Sequence, residues 1–330
     1  MQQIFVDSPE SDAWFAAIAS VTEDEKNRIQ IPDPASWRAW LEYVEIPEED
    51  IDLVIATTPA SGSELYDTLQ RGAAYLLKYT DSLERPAPFA TLADFNDPET
   101  RYFYVQLLTA CLPFARAHLE SRGIPEEIIQ ATLADLGRNV RVHRKREGVG
   151  GLGVMWWLML HFRGMIFQLG RLQFERQIAD EELVQSMREH GYSITEPLHA
   201  LSVHIPDFMG PMDDAACEDS IRQAAEFFPC YFPDWPVEFA YCNSWLLDPN
   251  LKGILKPESN IILFQNRYEL VPGGYDASDS VMQFVFGKHV RDIDTITPKS
   301  SLERGVIQRL QDGGTWQGRQ GWFHLPGMAE

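Results

Sequence analysis

Three side chains able to handle protons or electrophiles, His204, Cys242 and Ser244, stand in two beta-prone runs, Ala200–Pro206 and Glu238–Leu247. Histidine titrates near neutrality, so His204 suits removal of a proton from an amine or hydroxyl nucleophile. The same residue at a strand end also suits a packed histidine bonded to a backbone carbonyl. Cys242 and Ser244 are two apart and share one face of a regular strand, with Asn243 on the other. Ser244 can donate to a developing oxyanion or to a leaving thiolate. Cys242 is a nucleophile only with a base beside it, and otherwise a buried, inert thiol. No Gly-x-Ser-x-Gly turn supports a hydrolase elbow, and a cysteine hydrolase requires Cys242 and His204 within hydrogen-bonding distance.

Other residues bear on ligand chemistry. Arg163, Arg171, Arg176 and Arg267 lie in or beside apolar runs, where an arginine needs a partner. A phosphate or carboxylate ligand is one such partner, and Glu175 or Glu269 is the simpler one. Asp213, Asp214, Glu218 and Asp219 crowd the start of a helix, where an N-cap and the helix dipole account for them without a metal. No zinc, calcium or P-loop pattern is present, and the glycines Gly148–Gly153 follow a charged helix end where a dinucleotide loop would follow a strand. The aromatics Trp156, Trp157, Trp245, Phe264 and Tyr268 read as core, though the same side chains would line an apolar groove.

These residues must be positioned by their elements. The strand ending at Ile205, a helix from about Asp214 to Phe228 and the strand Glu238–Leu247 make a crossover unit. Upstream, helices are expected over Ser11–Ser20, Pro34–Val44 and Glu64–Tyr79, from Asp97 to Gly123, and again after Pro125. The basic run Arg141–Arg146 and the glycines after it mark a boundary, giving a helical domain over 1–147 and a second domain over 148–330. In the second domain Trp156–Phe162 reads equally as strand or helix, and Met165–Phe174 as a strand or a hairpin turning near Gly170. Asp180–His190 is an amphipathic helix, as is Ser301–Gln311. Asn260–Val271, Met282–Phe286 and Trp322–Leu325 are read as strands. The fold class is α/β in the broad sense (α+β), a helical domain followed by a mixed sheet.

The composition is globular: of 330 residues 45% are hydrophobic and 23% charged. Forty-nine acidic against 28 basic residues give a formal charge of -21, which repels nucleic acid and anionic membranes. The four cysteines lack zinc-like spacing and read as reduced thiols, and no export signal is visible, so a cytoplasmic protein is expected. The most apolar stretch, Val154–Leu169, carries His161, Arg163 and Gln168 and is too short to span a bilayer.

Taken together, His161–Glu175, His204–Pro206, Phe227–Phe228, Cys242–Pro249 and Ser259–Ile261 resemble a bacterial family of acyltransferases. Its members have a helical N-terminal domain and a C-terminal domain like that of the GCN5-related N-acetyltransferases. The resemblance implies an acyl-CoA co-substrate lying against a splayed pair of strands, a small-molecule amine or hydroxyl acceptor, and no metal. On it, His204, Ser244 and Cys242 are the catalytic candidates. Arg163, Arg171, Gly210 and Trp245 are the candidates for holding the cofactor. Such proteins hold the CoA diphosphate in a glycine-rich loop after the first splayed strand. Here that segment, Pro206–Asp214, has one glycine, Gly210, and no basic residue. Either CoA is held differently, through Arg163 or Arg171, or the fold has become a non-catalytic binding or scaffold protein. Protein partners are not indicated.

Overall fold

A computed structural model describes residues 4–206, 208–287, 293 and 296–327. The chain divides into two compact units, Met1–Gln168 and Leu169–Glu330.

The first unit is helical: α1 (Pro9–Ala19), α2 (Glu23–Arg28), α3 (Pro34–Tyr43), α4 (Glu48–Ala56), α5 (Glu64–Leu77), α6 (Pro98–Ser121), α7 (Glu126–Leu133), α8 (Asp135–Glu147) and α9 (Met155–Phe162). Ser8, Thr22, Asp33, Ser63 and Asp97 cap five of them by accepting first-turn N–H groups, as residues of these types do. The long α6 is buried continuously from Thr100 to Leu112 and forms the centre of this unit. The ambiguous run at Trp156 is the helix α9. The basic run belongs to α8, which ends at the left-handed Gly148; the expected boundary at 147/148 falls at that helix end, whereas the two units divide between Gln168 and Leu169. Arg144 within that run pairs with the fully buried Asp50, which also accepts from the Tyr102 hydroxyl.

β1 (Ile166–Leu169) crosses the division between the units. The second unit then runs β2 (Leu172–Ile178), α10 (Glu181–Glu189), β3 (His199–His204), α11 (Asp214–Tyr231), β4 (Phe239–Ser244), α12 (Asn260–Gln265), β5 (Glu269–Leu270), β6 (Tyr275–Asp276), α13 (Ser278–Phe286), α14 (Ser301–Gln311) and β7 (Gln317–His324). Its strands lie in the order β2-β3-β4-β7-β5, with β6 also paired to β7. β2 and β3 are antiparallel, as are β4 and β7, while β3 and β4 are parallel because α11 carries the chain back between them. The mixed sheet and the helical first unit agree with the expected fold class.

Two expected strands are helices. Asn260–Val271 is α12 followed by the two-residue β5, and Met282–Phe286 lies within α13. In α13, Val281 and Val285 stand four apart and pack into one core with Leu251, Val306 and Trp316. A five-residue apolar run does not by itself separate the two periods. The last strand is also longer than expected, beginning at Gln317 and not Trp322.

The hairpin turn at Gly170 has φ +65, and a Cβ there would lie 2.9 Å from the Ser220 Oγ of α11. That oxygen accepts the N–H groups of Arg171 (2.7 Å) and Leu172 (3.2 Å) and donates to the Ala216 carbonyl (2.9 Å). Close approach at one glycine thereby fixes the start of β2 to the crossover helix.

Candidate functional site

The pairing of β3 with β4 stops early. Ala200, Leu201 and Ser202 are in register with Phe239, Ala240 and Tyr241. Beyond that point Val203 and His204 remain on β2, and Cys242, Asn243 and Ser244 remain on β7. The two parallel strands therefore part at their C-terminal ends, the usual place for a ligand in such a sheet. Among the described residues, no strand pairs with Cys242–Ser244 along its β3-facing edge. A cavity of about 540 Å³ opens there, lined by His204, Cys242, Asn243, Ser244 and Trp245 among others, with Arg171 at its wall.

Register also decides which side chains face which side. Glu175 stands opposite Ser202, Gln173 opposite His204, and Ser202 beside Tyr241. His204 therefore shares a face with Glu175, Ser202, Tyr241 and Asn243, the face on which α10 packs through Leu183 and Met187 against Ala200, Phe239 and Trp322. Cys242 and Ser244 point to the opposite face. They reach the same cavity as His204 only because the strands separate.

His204 Nε2 lies 2.9 Å from Glu175 Oε2, with the carboxylate nearly buried and the imidazole partly exposed. A carboxylate oxygen accepts, so Nε2 is the nitrogen that donates in this contact. The second Glu175 oxygen accepts from the Gln177 side-chain amide. Sequence reasoning assigned Glu175 to an arginine. No periodicity in a single strand could have linked it to a histidine 29 positions later. The sole hint was a carboxylate directly after Leu172 and Phe174, in a segment with other apolar positions. Arg176 instead stacks on Phe232 (4.3 Å) and Trp235 (5.5 Å), and Arg267 pairs with Asp214. Glu269 faces His190 at 3.8 Å.

The remaining candidates divide. Ser244 Oγ accepts the Leu246 N–H at 3.1 Å, capping a short 3-10 turn, Trp245–Leu247, and its hydroxyl proton remains for another acceptor. Cys242 is 2% exposed and burial pushes its thiol up to about 12, which favours the buried, inert thiol over the nucleophile. Tyr241 is likewise pushed up to about 12 by burial, so its hydroxyl is a neutral donor. Arg171 Nε donates to the carbonyls of Gly210 (3.1 Å) and Pro211 (3.3 Å), shaping the segment between β3 and α11. Gly210 is exposed with φ +75. Asp213 caps α11 by accepting the Ala216 N–H at 2.9 Å, so a carboxylate already stands at that helix start. Asp207 of this segment lies outside the described residues.

Arg163 belongs to the first unit. Its guanidinium donates to the carbonyls of Tyr79 (3.0 Å), Ser82 (2.5 Å) and Glu84 (2.6 Å), and it does not line the cavity that holds His204 and Ser244. Three backbone acceptors around a 2% exposed side chain give it a structural task, clamping the chain after α5 to the end of α9. Among the described residues no cluster of His, Cys, Asp and Glu is arranged to hold a metal, and no helix is long and apolar enough to cross a membrane.

Comparison with known proteins agrees with this geometry. Residues 36–164 match the N-acyltransferase N-terminal domain, and residues 166–323 the GNAT-like C-terminal domain. No curated protein matches. A mutant acyltransferase solved with octanoyl-CoA superposes with a TM-score of 0.84 at 28% identity, covering 97% of this chain and 96% of that one. An acyltransferase solved with decanoyl-CoA and teicoplanin gives 0.81 at 28% identity, over 97% of this chain and 100% of the other. A further acyltransferase structure, with decanoyl-CoA alone, gives 0.80 over 96% and 99%. The two adjoining domains and the splayed strands lead to one assignment: the chain belongs to the acyltransferases in which an N-acyltransferase N-terminal domain precedes a GNAT-like C-terminal domain.

Proposed function

We propose that this protein transfers a medium-length acyl group from acyl-CoA to the amine of a small molecule of the glycopeptide kind. The parting of β3 and β4 beyond Ser202 and Tyr241 carries this reading. It leaves a slot edged by backbone N–H and C=O groups, into which an extended amide-bearing arm such as pantetheine adds like a strand. The octanoyl- and decanoyl-CoA complexes of the similar acyltransferases support the donor, and their teicoplanin complexes the acceptor.

Bound acyl-CoA supplies an activated thioester carbonyl. His204 accepts the proton of the attacking amine at Nδ1, while Glu175 holds the ring through Nε2 and balances the charge it gains. The N–C bond forms and the C–S bond breaks; the Ser244 hydroxyl hydrogen-bonds the departing thiolate, and the proton taken up by His204 passes on to that sulfur or to solvent. Backbone amides along the open edge of β4 stabilise the carbonyl oxygen. The segment before α11 offers the diphosphate little. The pantetheine and acyl portions therefore supply most of the donor affinity. The four free cysteines support a cytoplasmic setting.

Calorimetry with CoA, acetyl-CoA and decanoyl-CoA tests the reading. Saturable one-site binding that tightens from CoA to decanoyl-CoA is expected. No heat and no thermal stabilisation with any of them would leave a non-catalytic binding protein as the better account.

A further inference from the structure

Beyond the reacting edge, the cavity at the splay continues along a wall that the catalytic reading does not use. Ala277, the N-cap of α13, and Ser280 and Phe284 within the helix line it, at spacings of three and four that place them along one side. Val281, one position from Ser280, turns the other way into the core with Leu251, Val306 and Trp316, so α13 is anchored from behind. Ile261 and Leu302 continue the wall. Ala277 is buried and Ser280 half-buried, while Phe284 is 58% exposed, a large apolar surface left open at a cavity mouth. Tyr275 closes the same rim, 53% exposed, its ring lying so flat on Gly318 of β7 that a Cβ there would come within 2.1 Å of it. The side chains are small at the inner end and large at the outer end. That taper leaves room for a chain lying along the helix and does not fit a bulky ring at depth.

We infer that the Ala277–Ser280–Phe284 face of α13 is the acyl-chain subsite and sets the chain length of the donor. This rests on the acyl-CoA reading above. A side chain added at Ser280 occupies the lane of the chain, whereas the acetyl group ends before reaching it. Each methylene excluded from an apolar site costs roughly tenfold or more in discrimination.

The test is the affinity ratio of decanoyl-CoA to acetyl-CoA, measured by calorimetry on the full-length protein. The wild type is expected to favour decanoyl-CoA. Ser280→Phe lowers the ratio by at least about tenfold. Phe284→Ala, at an exposed position that the fold tolerates, lowers it several-fold by removing the outer wall. Ratios within about twofold of wild type in both variants overturn the inference, as does a wild type that binds acetyl- and decanoyl-CoA equally. In both cases acyl-CoA-dependent transfer stands, and equal binding by the wild type removes only its restriction to medium-length chains. A wild type that binds no acyl-CoA at all sinks that reading and this inference together.

Discussion

Replacing His204 by Ala should lower kcat by about 10²–10⁴, the range for a positioned general base, with acyl-CoA affinity changed only a few-fold. Glu175 touches the imidazole and not the reacting atoms, so it is a positioning residue. Glu175→Gln keeps an oxygen for the Nε2–H bond and should retain more kcat than Glu175→Ala, since only the latter leaves the ring unheld. Equal losses in the two variants would show that Glu175 serves the fold and not the base. The thiols give a separate check. With burial pushing it up to about 12, Cys242 holds on the order of one thiolate in ten thousand at pH 8, and Cys111 and Cys217 are also raised by burial. Cys230 is exposed and open to reagent. Iodoacetamide at pH 8 should therefore label Cys230 alone in the folded protein and all four after denaturation, read by peptide mass spectrometry.

The elements that frame the site depend on a few buried polar anchors. Gly170→Ala places a Cβ against Ser220 at a left-handed φ and should cost about 1–3 kcal/mol in urea unfolding. Asp248 is fully buried behind the turn that carries Ser244 and Trp245. Its oxygens accept the backbone N–H groups of Asn250 (2.9 Å) and Gln317 (2.8 Å), while the Gln265 amide donates to the carbonyls of Leu246 and Asp248. Asp248→Ala strands those N–H groups and should cost about 2–4 kcal/mol. The β3–α11–β4 unit was legible because long patterned strands flank a capped helix, and its polar residues lay at identifiable strand ends. The helices α12 and α13 were not, because short runs such as Ile261–Phe264 carry too few turns for a period to show. The face on which His204 lies was equally hidden. It follows from where β3 aligns with β2, and register is a property of two strands together. That is why Cys242 and Ser244 read as its companions while Glu175, which touches it, did not.

At the scale of the whole molecule the formal charge of -21 bears on encounter more than on chemistry. A cationic amine acceptor is drawn in over distances that salt shortens, so its KM should rise between roughly 20 and 300 mM salt, while that for anionic acyl-CoA should fall or hold. A cationic acceptor whose KM ignores salt would mean that local contacts alone govern its capture. The parted strands have a consequence of another kind. Without donor, the amides of Cys242–Ser244 that point toward β3 should exchange hydrogen quickly although they sit in the middle of a sheet, between strands whose other edges are fully laddered. A bound pantetheine arm supplies the missing rung, and the slowest-exchanging part of the molecule should then be the very stretch that exchanged fastest. The midpoint of thermal unfolding should climb with donor concentration by mass action. On the proposed mode of donor binding, the free protein is a sheet whose last hydrogen bonds are delivered by its substrate, and its folding is completed once in every catalytic cycle.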